Sequence, residues 1–129
     1  MASPTSDRRL ALQVGVAIKA PVQCCSTTNI TLSGAQTIDG YSASLLDATG
    51  YPSRVLVTGQ TVASENGIYD VGVPWTLSPD SDGPNDLQQG TFVVVANGNA
   101  NSGLWWCTTA NPIVPGSGQN INFTQFVAL

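Results

Sequence analysis

The stretch from Arg54 to Val71, RVLVTGQTVASENGIYDV, admits few folds other than paired β-strands. Val55 and Val57 alternate with Arg54, Leu56 and Thr58, the period-2 pattern of a strand. Thr58 to Gly67 is rich in Gly, Gln, Thr, Ser, Glu and Asn, residues that favour turns and positive φ. Ile68, Tyr69 and Val71 then restart a strand. The segment therefore predicts strand, turn, strand.

The rest of the chain extends this pattern. Val22–Leu32 predicts a first strand ended by Ser33-Gly34, and Gln36–Ile38 a short one before the Asp39-Gly40 turn. Tyr41–Pro52 reads as a loop with one short helical turn at Ala43–Asp47. Trp75–Leu77, Thr91–Ala96, Gly103–Thr109 and Ile121–Val127 read as further strands. Ser78–Asp86 and Asn111–Gly118 are loops, and Asn97–Asn101 (NGNAN) is a strong hairpin signal. About seven to nine short strands at this spacing predict an all-β fold, an antiparallel β-sandwich or flattened barrel. At 129 residues the chain is one domain.

Two features of this pattern bear on partners. Leu10, Leu12, Val14, Val16 and Ile18 fall on every second position, with small or polar residues between them. This strand-like arm follows a polar leader, so residues 1–19 are set apart from the module at 20–129. It is either an edge strand of the same domain or an arm that adds to a neighbouring subunit's sheet. Second, two strands are apolar on both faces. Phe92 and Val94 oppose Val93 and Val95, and Leu104 and Trp106 oppose Trp105 and Cys107. A sandwich with one wet face alternates more cleanly, so either loops or a partner subunit cover the second face.

Composition narrows the function classes. Charged residues make up 9% of the chain, against about 25% in an ordinary domain. The four cations, Arg8, Arg9, Lys19 and Arg54, are too few for a nucleic-acid binder. Ser, Thr, Asn and Gln number 42, so the polar surface rests on uncharged hydrogen-bonding groups. This favours an extracellular or virion-exposed protein over an ordinary Asn/Thr-rich one. No apolar run long enough for a membrane span and no signal peptide is evident, so synthesis in a cytoplasm is expected. Cys24, Cys25 and Cys107 are odd in number and are expected to be reduced and half-buried.

The candidate chemical constellations are weak. Asp80, Asp82, Asn85 and Asp86 with Gly83 lack the spacing and the final bidentate Glu of a calcium loop. The chain has no His, which removes metal and triad chemistry built on it, and Glu65 and the aspartates sit in turn contexts. No metal, cofactor or catalytic residue is read from the sequence. The triplets Asn29-Ile30-Thr31 and Asn122-Phe123-Thr124 match the glycosylation pattern but come without a secretory signal. Tyr41, Tyr51 and Trp105 are candidates for a glycan-stacking surface, against the alternative of core and interface packing.

Four stretches carry a resemblance. NITLSGAQTIDG (Asn29–Gly40), the Arg54–Val71 segment, GTFVVVANGNANSGLWWCTT (Gly90–Thr109) and NFTQF (Asn122–Phe126) resemble a module of bacteriophage tail-fibre and other virion surface proteins. The likeness covers about Ala20 to Phe126. It implies a β-rich, trimeric, non-enzymatic building block made in a host bacterial cytoplasm and carried on the virion surface. The chain departs from the module's wording at Pro52-Ser53 in place of Gly-Asp, at Thr58 in place of Lys, and at Leu77 in place of Arg. With no room for a fibre shaft, the expectation is a capsid decoration or cement protein. It would bind itself and the major capsid protein or other virion proteins, through Leu10, Leu12, Val14, Val16 and Ile18 and through Phe92, Val94 and Trp106. The alternative is a tail-fibre or appendage tip that binds host surface glycan through Tyr41, Tyr51 and Trp105.

Overall fold

The computed structural model describes residues 17–126. Of the expected arm, Ile18 falls within this range and Leu10–Val16 lie outside the described residues. Nine short strands appear among these residues: β1 (Cys24–Ser26), β2 (Gln36–Ile38), β3 (Tyr41–Ala43), β4 (Arg54–Val57), β5 (Gly67–Asp70), β6 (Thr76–Leu77), β7 (Phe92–Val95), β8 (Gly103–Cys107) and β9 (Phe123–Gln125). They form three sheets, ordered β1-β4-β5-β6, β2-β3 and β7-β8-β9. The all-β, sandwich-like architecture expected from the sequence is therefore present.

The sheets stack in layers, with β1-β4-β5-β6 in the middle. Cys25, Leu56 and Ile68 lie side by side in the register and face the β7-β8-β9 sheet, joining Val93, Val95, Trp105, Cys107 and Phe123 in one buried cluster. Cys24, Val55 and Tyr69 point the other way. With Val57, Val71 and Trp75 they pack under the β2-β3 hairpin, which contributes Ile38 and Ala43. Burial on both faces explains why Val55, Leu56 and Val57 are all apolar: there is no wet side to alternate toward.

Three details depart from the sequence reading. The strand expected over Val22–Leu32 shrinks to β1, because Thr27 onward turns out to meet the Gln60 loop. Tyr41–Ala43 is a strand paired with β2 rather than part of a loop, and in place of a helical turn at 43–47 the Asp47 carboxylate accepts from the N–H of Thr49 and the hydroxyl of Ser53. The pairing is also not wholly antiparallel. β1 runs parallel to β4, and Ile18 and Val22 form parallel bridges to Phe92 and Val95.

Those parallel contacts make Ile18–Ser26 a stitch between layers. Lys19 N–H donates to Phe92 O and Val22 N–H to Val94 O, so this stretch lies along the outer side of β7. At the next residue the stretch also reaches β4, where Gln23 N–H donates to Arg54 O. An ion pair holds the crossing. Arg54 donates to both Asp80 oxygens, at 2.7 and 2.8 Å, and Lys19 Nζ donates to Asp80 O at 2.6 Å.

Turn residues do comparable work elsewhere. The Asp39 carboxylate accepts from the N–H groups of Ala100 and Asn101, and its own carbonyl accepts from Asn99 N–H. The Asp39-Gly40 turn is thereby docked on the NGNAN hairpin, and a Cβ on Gly98 would stand 2.4 Å from Asp39 Oδ2. Buried Gln60 and Asn66 tie the long β4–β5 turn to its neighbours. Gln60 exchanges two hydrogen bonds with the Ile30 main chain, and Asn66 bridges Gln60 N–H to Ile121 O.

Candidate assembly surface

β7 and β8 decide what the molecule offers to others. Val93, Val95, Trp105 and Cys107 point into the core, so period-2 alternation turns Phe92, Val94, Leu104 and Trp106 outward. The register pairs Phe92 with Trp106 and Val94 with Leu104, which makes these four side chains adjacent on one face. Ile18 joins them beside Phe92, and Phe126 beside Leu104, whose carbonyl accepts Phe126 N–H at 2.7 Å. Ile18, Phe92, Val94 and Phe126 are 57, 40, 41 and 55% exposed. None of these six residues carries a charge. An exposed, contiguous apolar face of this kind marks a contact surface.

The middle sheet had the same two-faced composition and gained a cover from its own chain, the β2-β3 hairpin. On the outer face of β7-β8-β9, Ile18, Phe92, Val94 and Phe126 stay exposed, while Leu104 and Trp106 are half-buried. Of the residues expected at an interface, the structure brings Ile18, Phe92, Val94 and Trp106 together here. Sequence reading missed Leu104 and Phe126 as members; the β8–β9 register that places them is not a local signal.

The expected glycan surface fares differently. Trp105 is 6% exposed and its indole N–H donates to Asn101 O at 2.9 Å. It packs in the central cluster and presents no ring face to a sugar, which corrects its place among the stacking residues. Tyr41 is half-buried against the hairpin-side cluster, while Tyr51 is 73% exposed on the loop after β3. In the NGNAN loop the main-chain N–H groups of Asn99, Ala100 and Asn101 donate to Asp39.

The carboxylates and thiols have structural surroundings. Asp39, Asp47 and Asp80 hold the contacts described above, and Asp86 accepts from the N–H groups of Asp82 and Gly83. Hydrogen bonds from Thr49, the largest influence, keep the Asp47 carboxyl below its usual range. Cys24, Cys25 and Cys107 are free thiols, fully buried rather than half-buried. Burial, aided by the nearby Asp39 charge, pushes the Cys24 thiol up to about 12. Burial raises Cys25 and Cys107 likewise. Among the described residues, no three His, Cys, Asp or Glu side chains gather as metal ligands, and no helix is long and apolar enough to cross a membrane.

No family model, curated protein or solved structure matches the chain.

Proposed function

We propose that this protein is a structural component of a phage virion, an oligomeric capsid decoration or cement protein carried on the virion surface. The observation that carries the reading is the uncharged apolar face built from β7, β8 and Ile18. A β domain whose described residues leave such a face exposed has a protein contact to make. The module-like wording of the sequence supplies the phage context. In this reading the protein has no catalytic role, and its aspartates serve turns, a loop dock and an ion pair.

The work is mechanical. A subunit that binds only the assembled shell stabilises that shell by mass action, with a gain that grows as the logarithm of concentration over dissociation constant. Apolar burial and neutral hydrogen bonds carry the contact, since few charges are available. The alternative of a glycan-binding tip is weakened by the loss of Trp105 to the core.

The test is addition of the recombinant protein to particles that lack it, followed by electron cryo-microscopy. Density over the capsomers, with greater resistance of the shell to heat, is the expected result. Density confined to the tail would replace this reading with the appendage one.

A further inference from the structure

Two Asn-Gly pairs stand in this chain, Asn66-Gly67 and Asn97-Gly98, and the fold treats them oppositely. We infer that Asn97 is a site of spontaneous main-chain modification, its side-chain amide closing onto the nitrogen of Gly98 and being hydrolysed to aspartate and isoaspartate. This stands apart from the assembly reading, since it needs neither a partner nor a particle.

The chemistry requires only water. The main-chain nitrogen of Gly98 gives its proton to hydroxide and bonds to Cγ of Asn97. The Cγ–Nδ2 bond breaks, and Nδ2 takes a proton from water and leaves as ammonia. Water then opens the cyclic imide. Breaking the new N–Cγ bond leaves an aspartate in the normal chain. Breaking the bond from the same nitrogen to the main-chain carbonyl carbon leaves isoaspartate, with the chain now running through Cβ and Cγ. The step is favoured where water reaches the Asn, where the next residue has no Cβ to hinder the approach, and where its nitrogen is not already bonded.

Asn97-Gly98 meets all three conditions. Asn97 is exposed on the loop between β7 and β8. Among the described residues no group accepts from Gly98 N–H, although both neighbours are engaged: Asn97 N–H donates to Gln23 O and Asn99 N–H to Asp39 O, each at 3.0 Å. The Asn97 side chain makes one bond, from Nδ2 to Gln23 Oε1 at 3.0 Å, on the exposed surface where water competes for it.

Asn66-Gly67 meets only the second. Asn66 is buried, and both ends of its amide are bonded, to Gln60 N–H and to Ile121 O. Gly67 opens β5 opposite Val57. Val71 N–H donates to Ser53 O, so by the alternation of an antiparallel ladder Gly67 N–H is directed at Val57. Attack at Asn66 therefore waits for β4 and β5 to part.

The position of Asn97 gives the modification a structural effect. Isoaspartate inserts a methylene into the main chain between the N–H held by Gln23 and the N–H groups held by Asp39, and it adds a negative charge to the loop that holds the Asp39 carboxylate. The packing leaves no slack to absorb this, since a Cβ on Gly98 would already stand 2.4 Å from Asp39 Oδ2. Conversion of Asn97 thus loosens the dock between the Asp39-Gly40 turn and the NGNAN loop.

The experiment holds the purified full chain in warm, mildly alkaline buffer, native and in guanidinium chloride. Peptide mapping by mass spectrometry, with fragmentation that separates aspartate from isoaspartate, follows both sites. Native Asn97 is expected to convert within a few-fold of its rate in denaturant, with isoaspartate among the products. Native Asn66 is expected to convert about tenfold or more below its own rate in denaturant. Hydrogen exchange at Asn99, Ala100 and Asn101 is expected to be several-fold faster in converted protein. It is expected to be unchanged in Asn97→Gln held under the same conditions, whose longer side chain closes the ring poorly. Native Asn97 slowed as much as Asn66, or conversion that yields no isoaspartate, overturns the inference. Converted protein whose Asn99–Asn101 amides exchange as in fresh protein overturns the loosening of the dock.

Discussion

Asn66 shows how one buried side chain in a turn can matter more than an exposed one that makes the same kind of bond. It is 3% exposed, accepts Gln60 N–H at 2.9 Å and donates to Ile121 O at 2.9 Å. Asn66→Ala leaves both main-chain groups unsatisfied in the interior, at a cost of about 2–3 kcal/mol. Asn29, which accepts Thr61 N–H on the exposed surface, is the control. Water replaces that bond, so Asn29→Ala costs about 0.5 kcal/mol. Urea unfolding of the two variants beside the wild type checks the contrast, and equal midpoints would refute it. The thiols give a second residue-scale prediction. Their raised pKa values mean that the folded protein holds these protons more tightly than the unfolded chain does. The stabilisation is complete below the unfolded thiol value of 9.0 and is lost as pH rises through the folded values. Tyr69, raised mainly by burial, acts in the same sense at higher pH, and Lys19, lowered mainly by burial, opposes it. The urea midpoint is expected to fall above pH 9, with a shallower fall in Cys107→Ala. At pH 8 the native thiols are expected to resist alkylation until denaturant is added.

At the scale of the element, β8 separates two tryptophans by one position and gives them opposite roles. Trp105 fills the central cluster, so Trp105→Ala removes a core ring and costs about 3–5 kcal/mol. Trp106 faces outward, so Trp106→Ala costs about 1 kcal/mol or less in the isolated domain and acts on assembly instead. Measured by urea unfolding at one protein concentration, a larger loss for Trp106→Ala than for Trp105→Ala would reverse the assignment of faces. The sequence could not make that assignment, because Leu104 to Cys107 is apolar at every position and no polar residue marks the wet side. The β4-β5 unit was legible for the opposite reason: its turn chemistry is dense and local. The parallel β1–β4 pair was not, since its partners lie 31 positions apart in the register, Cys24 to Val55, with no connecting turn to announce them. The same holds for the docking of Asp39 on the NGNAN loop. Both segments read as turns, and nothing in either indicates the other. Ile18, Phe92, Val94 and Trp106 were legible as apolar residues in excess of what one core face needs. That they form one surface depends on register.

For the whole molecule, the scarcity of charge sets how the proposed assembly would respond to solution conditions. Among the described residues the ion pair Arg54–Asp80 lies within one chain and holds the crossing stretch. The outer face has no charged residue to contribute to the proposed contact. In such a contact Coulomb attraction would not be the driving force, and raising the salt would have no attraction across the face to screen. Apolar burial has the opposite response, strengthening in salts that are excluded from protein surfaces, and it carries a negative heat-capacity change. The oligomer dissociation constant, followed by sedimentation from about 0.05 to 1 M sodium chloride, is expected to stay level. In sodium sulfate it is expected to fall several-fold. A dissociation constant that rises steeply with sodium chloride would mean that charged residues outside this face, such as Asp7, Arg8 and Arg9 of the leader, hold the copies together. The apolar face would then be left for a different protein to cover. The level response is the one that follows from a surface whose polarity comes from amides and hydroxyls, because neutral hydrogen bonds and buried methyl groups both act independently of ionic strength.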